Sequence, residues 1–85
     1  MPVTSKEINV FVRNSENVLY EGLAKAVTSL NDKGTFDVLP THANFISLIK
    51  KFVRIYQKDG QIKEIPVDSG VIRVLENAIE IYLGV

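Results

Sequence analysis

The chain has 85 residues, enough for one domain in which roughly 60 to 65 per cent of the unfolded surface is buried, with no room for a second core. Ten Lys and Arg balance ten Asp and Glu, so there is no broad cationic field for nucleic acid or an anionic membrane surface, and only small basic clusters such as Lys50-Lys51 offer local contacts. Cysteine is absent, which excludes disulfides and thiolate metal sites and fits a reducing compartment.

MPVTSKEINV carries polar and charged residues where a signal peptide needs an apolar centre, and no apolar run approaches the ~18 residues of a spanning helix, so no direct membrane insertion is expected. Period-two patterning begins at Ile8 to Arg13, with Ile8, Val10 and Val12 on one face and Asn9, Phe11 and Arg13 on the other. Glu16 to Tyr20 reads as a short second strand closed by Glu21-Gly22, and Leu23 to Leu30 as a third with Lys25 and Ser29 toward water. Thr35 to Leu39 ends at Pro40, which has no N–H to continue a ladder. Asn44 to Phe52 is ambiguous enough to hold a helical turn. Phe52 to Gln57 and Gln61 to Val67 flank Lys58-Asp59-Gly60, a hairpin signal with positive φ expected at Asp-Gly. Asp68-Ser69-Gly70 reads as a turn or bulge. Val71 to Leu75 and Ala78 to Leu83 flank Glu76-Asn77, with Asn77 expected to take the left-handed position. Residues 1–85 are thus expected to form a single all-β domain, a small two-sheet β-sandwich of about eight to ten short strands.

Catalytic chemistry is hard to assemble from these residues. His42, the single histidine, has only Thr41, Asn44 and Asp37 as local polar neighbours, and without cysteine it makes no zinc site. It can turn the chain after Pro40 or touch a partner. Glu76 and Glu80 near the last hairpin read as a solvated face. The glycines are isolated, unlike a phosphate cradle, and the tyrosines do not form a stacking platform for bases. No enzyme activity, no metal and no cofactor are expected.

Four segments carry a further signal: Leu19-Tyr20-Glu21-Gly22, the run Gly34 to Ala43 (GTFDVLPTHA), Val53-Arg54-Ile55, and Val67 to Val74 (VDSGVIRV). In order and spacing they resemble the N-terminal β-sandwich of the epsilon subunit of F-type ATP synthase, with Gly34, Phe36, Val38, Leu39, Pro40, His42, Ala43, Val53, Arg54, Ile55, Gly70 and Val74 matching its pattern. Asp37, Thr41 and Ser69 stand where that family usually has glycine, and Asn44 where it has proline. If those glycines serve positive φ, Asp37 and Thr41 are costly and the loop around His42 is reshaped. The Pro-Gly turn of the family shrinks to Ile49-Lys50-Lys51-Phe52.

The resemblance implies a non-catalytic central-stalk component that joins the gamma subunit to the c-ring and couples ion flow to ATP synthesis, held on the cytoplasmic, inner face of an energy-coupling membrane through the complex. It implies c-ring contacts at Lys33, Thr35 and His42, and gamma contacts at Arg13, Asn14, Ser15, Ala43 and Phe45. Because the sequence stops at Leu83-Gly84-Val85, neither the C-terminal helical hairpin of the family nor nucleotide binding is expected here. The alternative is an unrelated small β-sandwich that binds a peptide or sugar, which requires Tyr20, Tyr56 and Tyr82 to line up on one surface.

Overall fold

The computed structural model describes residues 7–84, so the first six residues, read above as lacking a signal peptide, lie outside the described residues. Those described form six strands and no helix: β1 (Ile8–Arg13), β2 (Val18–Asn31), β3 (Gly34–Val38), β4 (Phe45–Gln57), β5 (Ile62–Leu75) and β6 (Ala78–Leu83). The sheet order is β1-β6-β5-β4-β2-β3, and an added β1–β2 pairing closes the first five strands of that order into a barrel, leaving β3 attached to β2. All pairings are antiparallel except β1 with β6, which run parallel.

Closure buries the alternate residues read from the sequence. Ile8, Val10 and Val12 of β1, Val53 and Ile55 of β4, Ile72 and Val74 of β5, and Ile79 and Ile81 of β6 are all in the core. Each such side chain contributes on the order of 1.5–3 kcal/mol relative to exposure, so the period-two pattern is the main stabilising feature of the chain.

The strands are fewer and longer than expected. Glu21-Gly22 does not end a strand but lies inside β2, which runs for 14 residues. Asn44 to Phe52 holds no helical turn: Phe45 onward is the first half of β4. Asp68-Ser69-Gly70 is likewise interior to β5. The physical reason is that bulges, not turns, bend these strands. The β4–β5 register passes from Ile49↔Gly70 to Lys51↔Val67, and Lys51 takes a φ of 77°. At the same level β2 shifts between Ser29 and Leu30, and the buried Ser29 hydroxyl donates to the Phe52 carbonyl at 2.7 Å. Gly70 is required there by proximity, since a Cβ on it would lie 2.8 Å from Leu83 Cδ2.

Both expected hairpin turns are present, with one difference in each. Gly60 takes the positive φ of 90°, while Asp59 does not. At the last turn the left-handed residue is Glu76, with φ 57°, not Asn77. Asp37 also departs from expectation: it lies in extended β3 opposite Thr28, so its Cβ carries no left-handed penalty. Its carboxylate accepts a hydrogen bond from the Thr28 hydroxyl.

Candidate interaction surface

The loop between β3 and β4 turns as Pro40 and His42 suggested. His42 N–H donates to the Leu39 carbonyl at 3.1 Å, with Pro40 and Thr41 as the central residues of the turn. Thr41 adopts φ 67°, so this position does require the left-handed conformation, and a β-branched residue occupies it. His42 Nδ1 lies 2.7 Å from the Ala43 carbonyl, so Nδ1 carries the proton and neutral His42 keeps its lone pair on Nε2. The ring sits 5.1 Å from the Phe45 ring, which in turn meets Phe36 edge-on at 5.8 Å. These aromatics close the gap between β3 and the start of β4.

The residues singled out for one partner fall into separate places. Lys33 and Thr35 belong to the β2–β3 hairpin, where Lys33 N–H donates to Asn31 Oδ1 at 2.8 Å. His42 instead sits in the loop fastened to the β5–β6 turn, because Thr41 N–H donates to Asn77 Oδ1 at 3.0 Å. A groove lined by Asn31, Asp32, Lys33 and the segment from Phe45 to Leu48 separates the hairpin from β4. The residues singled out for the other partner are also split. Arg13, Asn14 and Ser15 lie at the β1–β2 turn, where Arg13 pairs with Tyr82 near the end of β6. There Asn14 Oδ1 accepts from the N–H groups of Glu16 and Asn17. Phe45 pairs with Val74, which pairs with Ile79 near the beginning of β6.

Between those two ends lies a feature the sequence reading missed. Ile46, Leu48 and Leu75 are 69%, 71% and 44% exposed, and they share the outer face of β4 and β5 with half-buried Val71. The register carries this face across the sheet as Leu48↔Val71↔Tyr82↔Arg13 and Ile46↔Arg73↔Glu80↔Phe11. Phe11 and Tyr82 pack edge-on at 6.5 Å. The available signal was that β4 is apolar on both faces from Phe45 to Ile49: Phe45 and Ile49 point inward, Ile46 and Leu48 outward. A strand with one wet face does not need that pattern.

The polar chemistry is structural. Asp37, Thr28, Arg54 and Glu64 form one cross-strand row over β3, β2, β4 and β5, with Arg54 Nε donating to Glu64 at 2.9 Å. Hydrogen bonding from the Arg54 guanidinium, then from Thr28, holds the Tyr56 phenol below its ordinary range. Thr28 has one proton and donates it to Asp37, so Arg54 carries most of that effect. Burial, then the Asp59 charge, raises the Tyr20 phenol. Among the described residues no group of three or more His, Asp or Glu is placed to hold a metal ion. The three tyrosines do not form a row: Tyr20 packs against the core beside Val12 and donates to the Leu23 carbonyl, while Tyr56 is registered with Ile62 at one end of β5 and Tyr82 with Val71 toward the other.

Residues 7–83 match the family described as the β-sandwich domain of the ATP synthase delta/epsilon chain. The chain belongs to this family. Two relatives named ATP synthase epsilon chain are similar to it. One, from Leptospira borgpetersenii serovar Hardjo-bovis, is 31% identical over 75 residues, covering 88% of this chain and 59% of the relative. The other, from Nitratiruptor sp., is 36% identical over 63 residues, covering 73% of this chain and 49% of the relative. The chain therefore spans about half to three-fifths of the length of these relatives. In fold it is similar to a chain of the Euglena gracilis mitochondrial ATP synthase (OSCP, F1 and c-ring), with a TM-score of 0.87 at 13% identity, covering 96% of this chain and 53% of that one. It is also similar to a chain of the Tetrahymena thermophila mitochondrial ATP synthase central stalk and c-ring, with a TM-score of 0.74 at 12% identity, covering 95% of this chain and 66% of that one.

Proposed function

We propose that this domain is a non-catalytic central-stalk component of an F-type ATP synthase, joining the gamma subunit to the c-ring and held peripherally at the membrane through that complex. The observation that carries the reading is the exposed apolar face of Ile46, Leu48 and Leu75 on a domain of this family. Burying the part of each side chain that is still exposed contributes a fraction of the roughly 1.5–3 kcal/mol of full burial, largest for Ile46 and Leu48 and least for Leu75, whereas leaving them wet serves no purpose in the fold. Gamma covers this face, reached at one edge by Ala43 and Phe45 and at the other by Arg13, Asn14 and Ser15. The β2–β3 hairpin with Lys33 and Thr35, together with His42, meets the polar loops of the ring. The register shifts at Ser29/Leu30 and from Ile49↔Gly70 to Lys51↔Val67 support reading the two sides of the barrel as the two sheets of a sandwich. A stiff body of this kind transmits torque without deforming.

The test is co-purification with the gamma subunit of the same source. Ile46→Lys is expected to abolish capture while the isolated domain keeps its melting temperature. Full capture by that variant would remove the apolar face from the interface. An unrelated peptide- or sugar-binding module loses support because its tyrosine row is absent.

A further inference from the structure

Among the described residues three non-glycines adopt positive φ, and two of them face each other across separate segments: Thr41 at 67° in the β3–β4 loop and Glu76 at 57° in the β5–β6 turn. Each donates its own N–H to an asparagine of the opposite segment. Thr41 N–H meets Asn77 Oδ1 at 3.0 Å, and Glu76 N–H meets Asn44 Oδ1 at 2.6 Å. Because both partners are N–H donors, the amide orientation of each asparagine is fixed by chemistry: the oxygen must face the bond. The β5–β6 turn is itself tied down, since the Asn77 carbonyl accepts from Asn9 N–H of β1 at 2.9 Å.

We propose that Asn44 and Asn77 form a reciprocal latch that holds both left-handed residues in place, making Asn77 the positioning residue for His42. A strained backbone conformation persists where its surroundings over-determine it, and here each asparagine supplies the acceptor that the other segment's strained residue needs. Opening one bond frees one left-handed residue to relax, which moves the asparagine beside it and loosens the second bond. Thr41 and His42 are adjacent, so the latch sets where the imidazole is presented. Asn44, anomalous against the family pattern, is one half of the device. The docking consequence rests on the rotor reading above; the latch itself does not.

Amide hydrogen exchange followed by NMR on the domain tests it. Asn77→Ala should speed exchange at Thr41 N–H by about tenfold and, through the latch, at Glu76 N–H by about threefold or more, while core amides of Val53 and Ile55 stay protected. Asn44→Ala should do the converse. Asn77→Asp, which keeps an acceptor oxygen, should restore protection at both amides. If Asn77→Ala affects Thr41 alone and Asn44→Ala affects Glu76 alone, the bonds are independent and the latch is wrong. If Asn77→Ala also exposes the core, Asn44→Ala read at Thr41 decides the same point. In rotor assembly with c-ring, Asn77→Ala should weaken capture as His42→Ala does, with recovery in Asn77→Asp. Coupled exchange with unchanged capture by both alanine variants would uphold the latch and dismiss His42 as a ring contact.

Discussion

Gly70→Ala tests whether the β4–β5 bend, where the end of β6 packs against Gly70, is as tightly packed as its geometry implies. The added Cβ would lie 2.8 Å from Leu83 Cδ2, 3.0 Å from the Tyr82 carbonyl oxygen and 3.4 Å from Ile49 Cγ1. Leu83 and Ile49 are 8% and 3% exposed, so neither can swing into water to make room. The Tyr82 carbonyl is backbone, and moving it disturbs the terminal Gly70↔Leu83 pair and the adjacent Gly84 N–H bond to the Ser69 carbonyl at 2.9 Å. Overpacking of this kind costs about 1–3 kcal/mol. For a domain of this size, a loss near 2 kcal/mol lowers the melting temperature by about 8–16 °C. Thermal unfolding by circular dichroism measures it. Leu83→Val removes the closer obstruction and leaves the carbonyl, so Gly70→Ala should cost less in a Leu83→Val background than in the parent, without vanishing. A Gly70→Ala protein that melts within about 2 °C of the parent would refute the argument that close approach requires glycine here.

Thr41→Gly should stabilise the domain. A left-handed L residue costs about 1–2 kcal/mol, and glycine returns about 0.5–1 through its looser unfolded chain, leaving a net gain near 0.5–1 kcal/mol and a rise of about 2–8 °C on melting. An unchanged or lower melting temperature would contradict the strain assigned to φ 67°. Absorbance titration of the tyrosines should find Tyr56 ionising below the ordinary phenol range and Tyr20 above it, and Arg54→Gln should move Tyr56 upward. The signs differ for stability. The contribution of the depressed Tyr56 is complete above the ordinary phenol range, is lost as pH falls through its lowered folded value and is absent at neutral pH, whereas the contribution of Tyr20 is present below that range and lost as pH rises through its folded value.

By itself the sequence determined the class of fold, because side chains on a pleated strand alternate and the residues at Ile8, Val10, Val12, Ile72, Val74, Ile79 and Ile81 could be buried only as strand faces. Pro40 and Gly60 marked their turns because ring closure and the missing Cβ act locally. Strand number was not legible, since a bulge in the middle of a ladder and a turn at its end use the same residues; only the partner across the ladder distinguishes them at Asp68-Ser69-Gly70. Nor was the setting of the unusual residues. Asp37 is extended in β3 and accepts from Thr28 on the neighbouring strand, and Asn44 accepts from the N–H of Glu76, 32 residues away. The interaction face followed the same rule: Ile46 and Leu48 were visible as apolar letters, but barrel closure decided that they stay outside, because the interior side of β4 was already filled by Phe45 and Ile49.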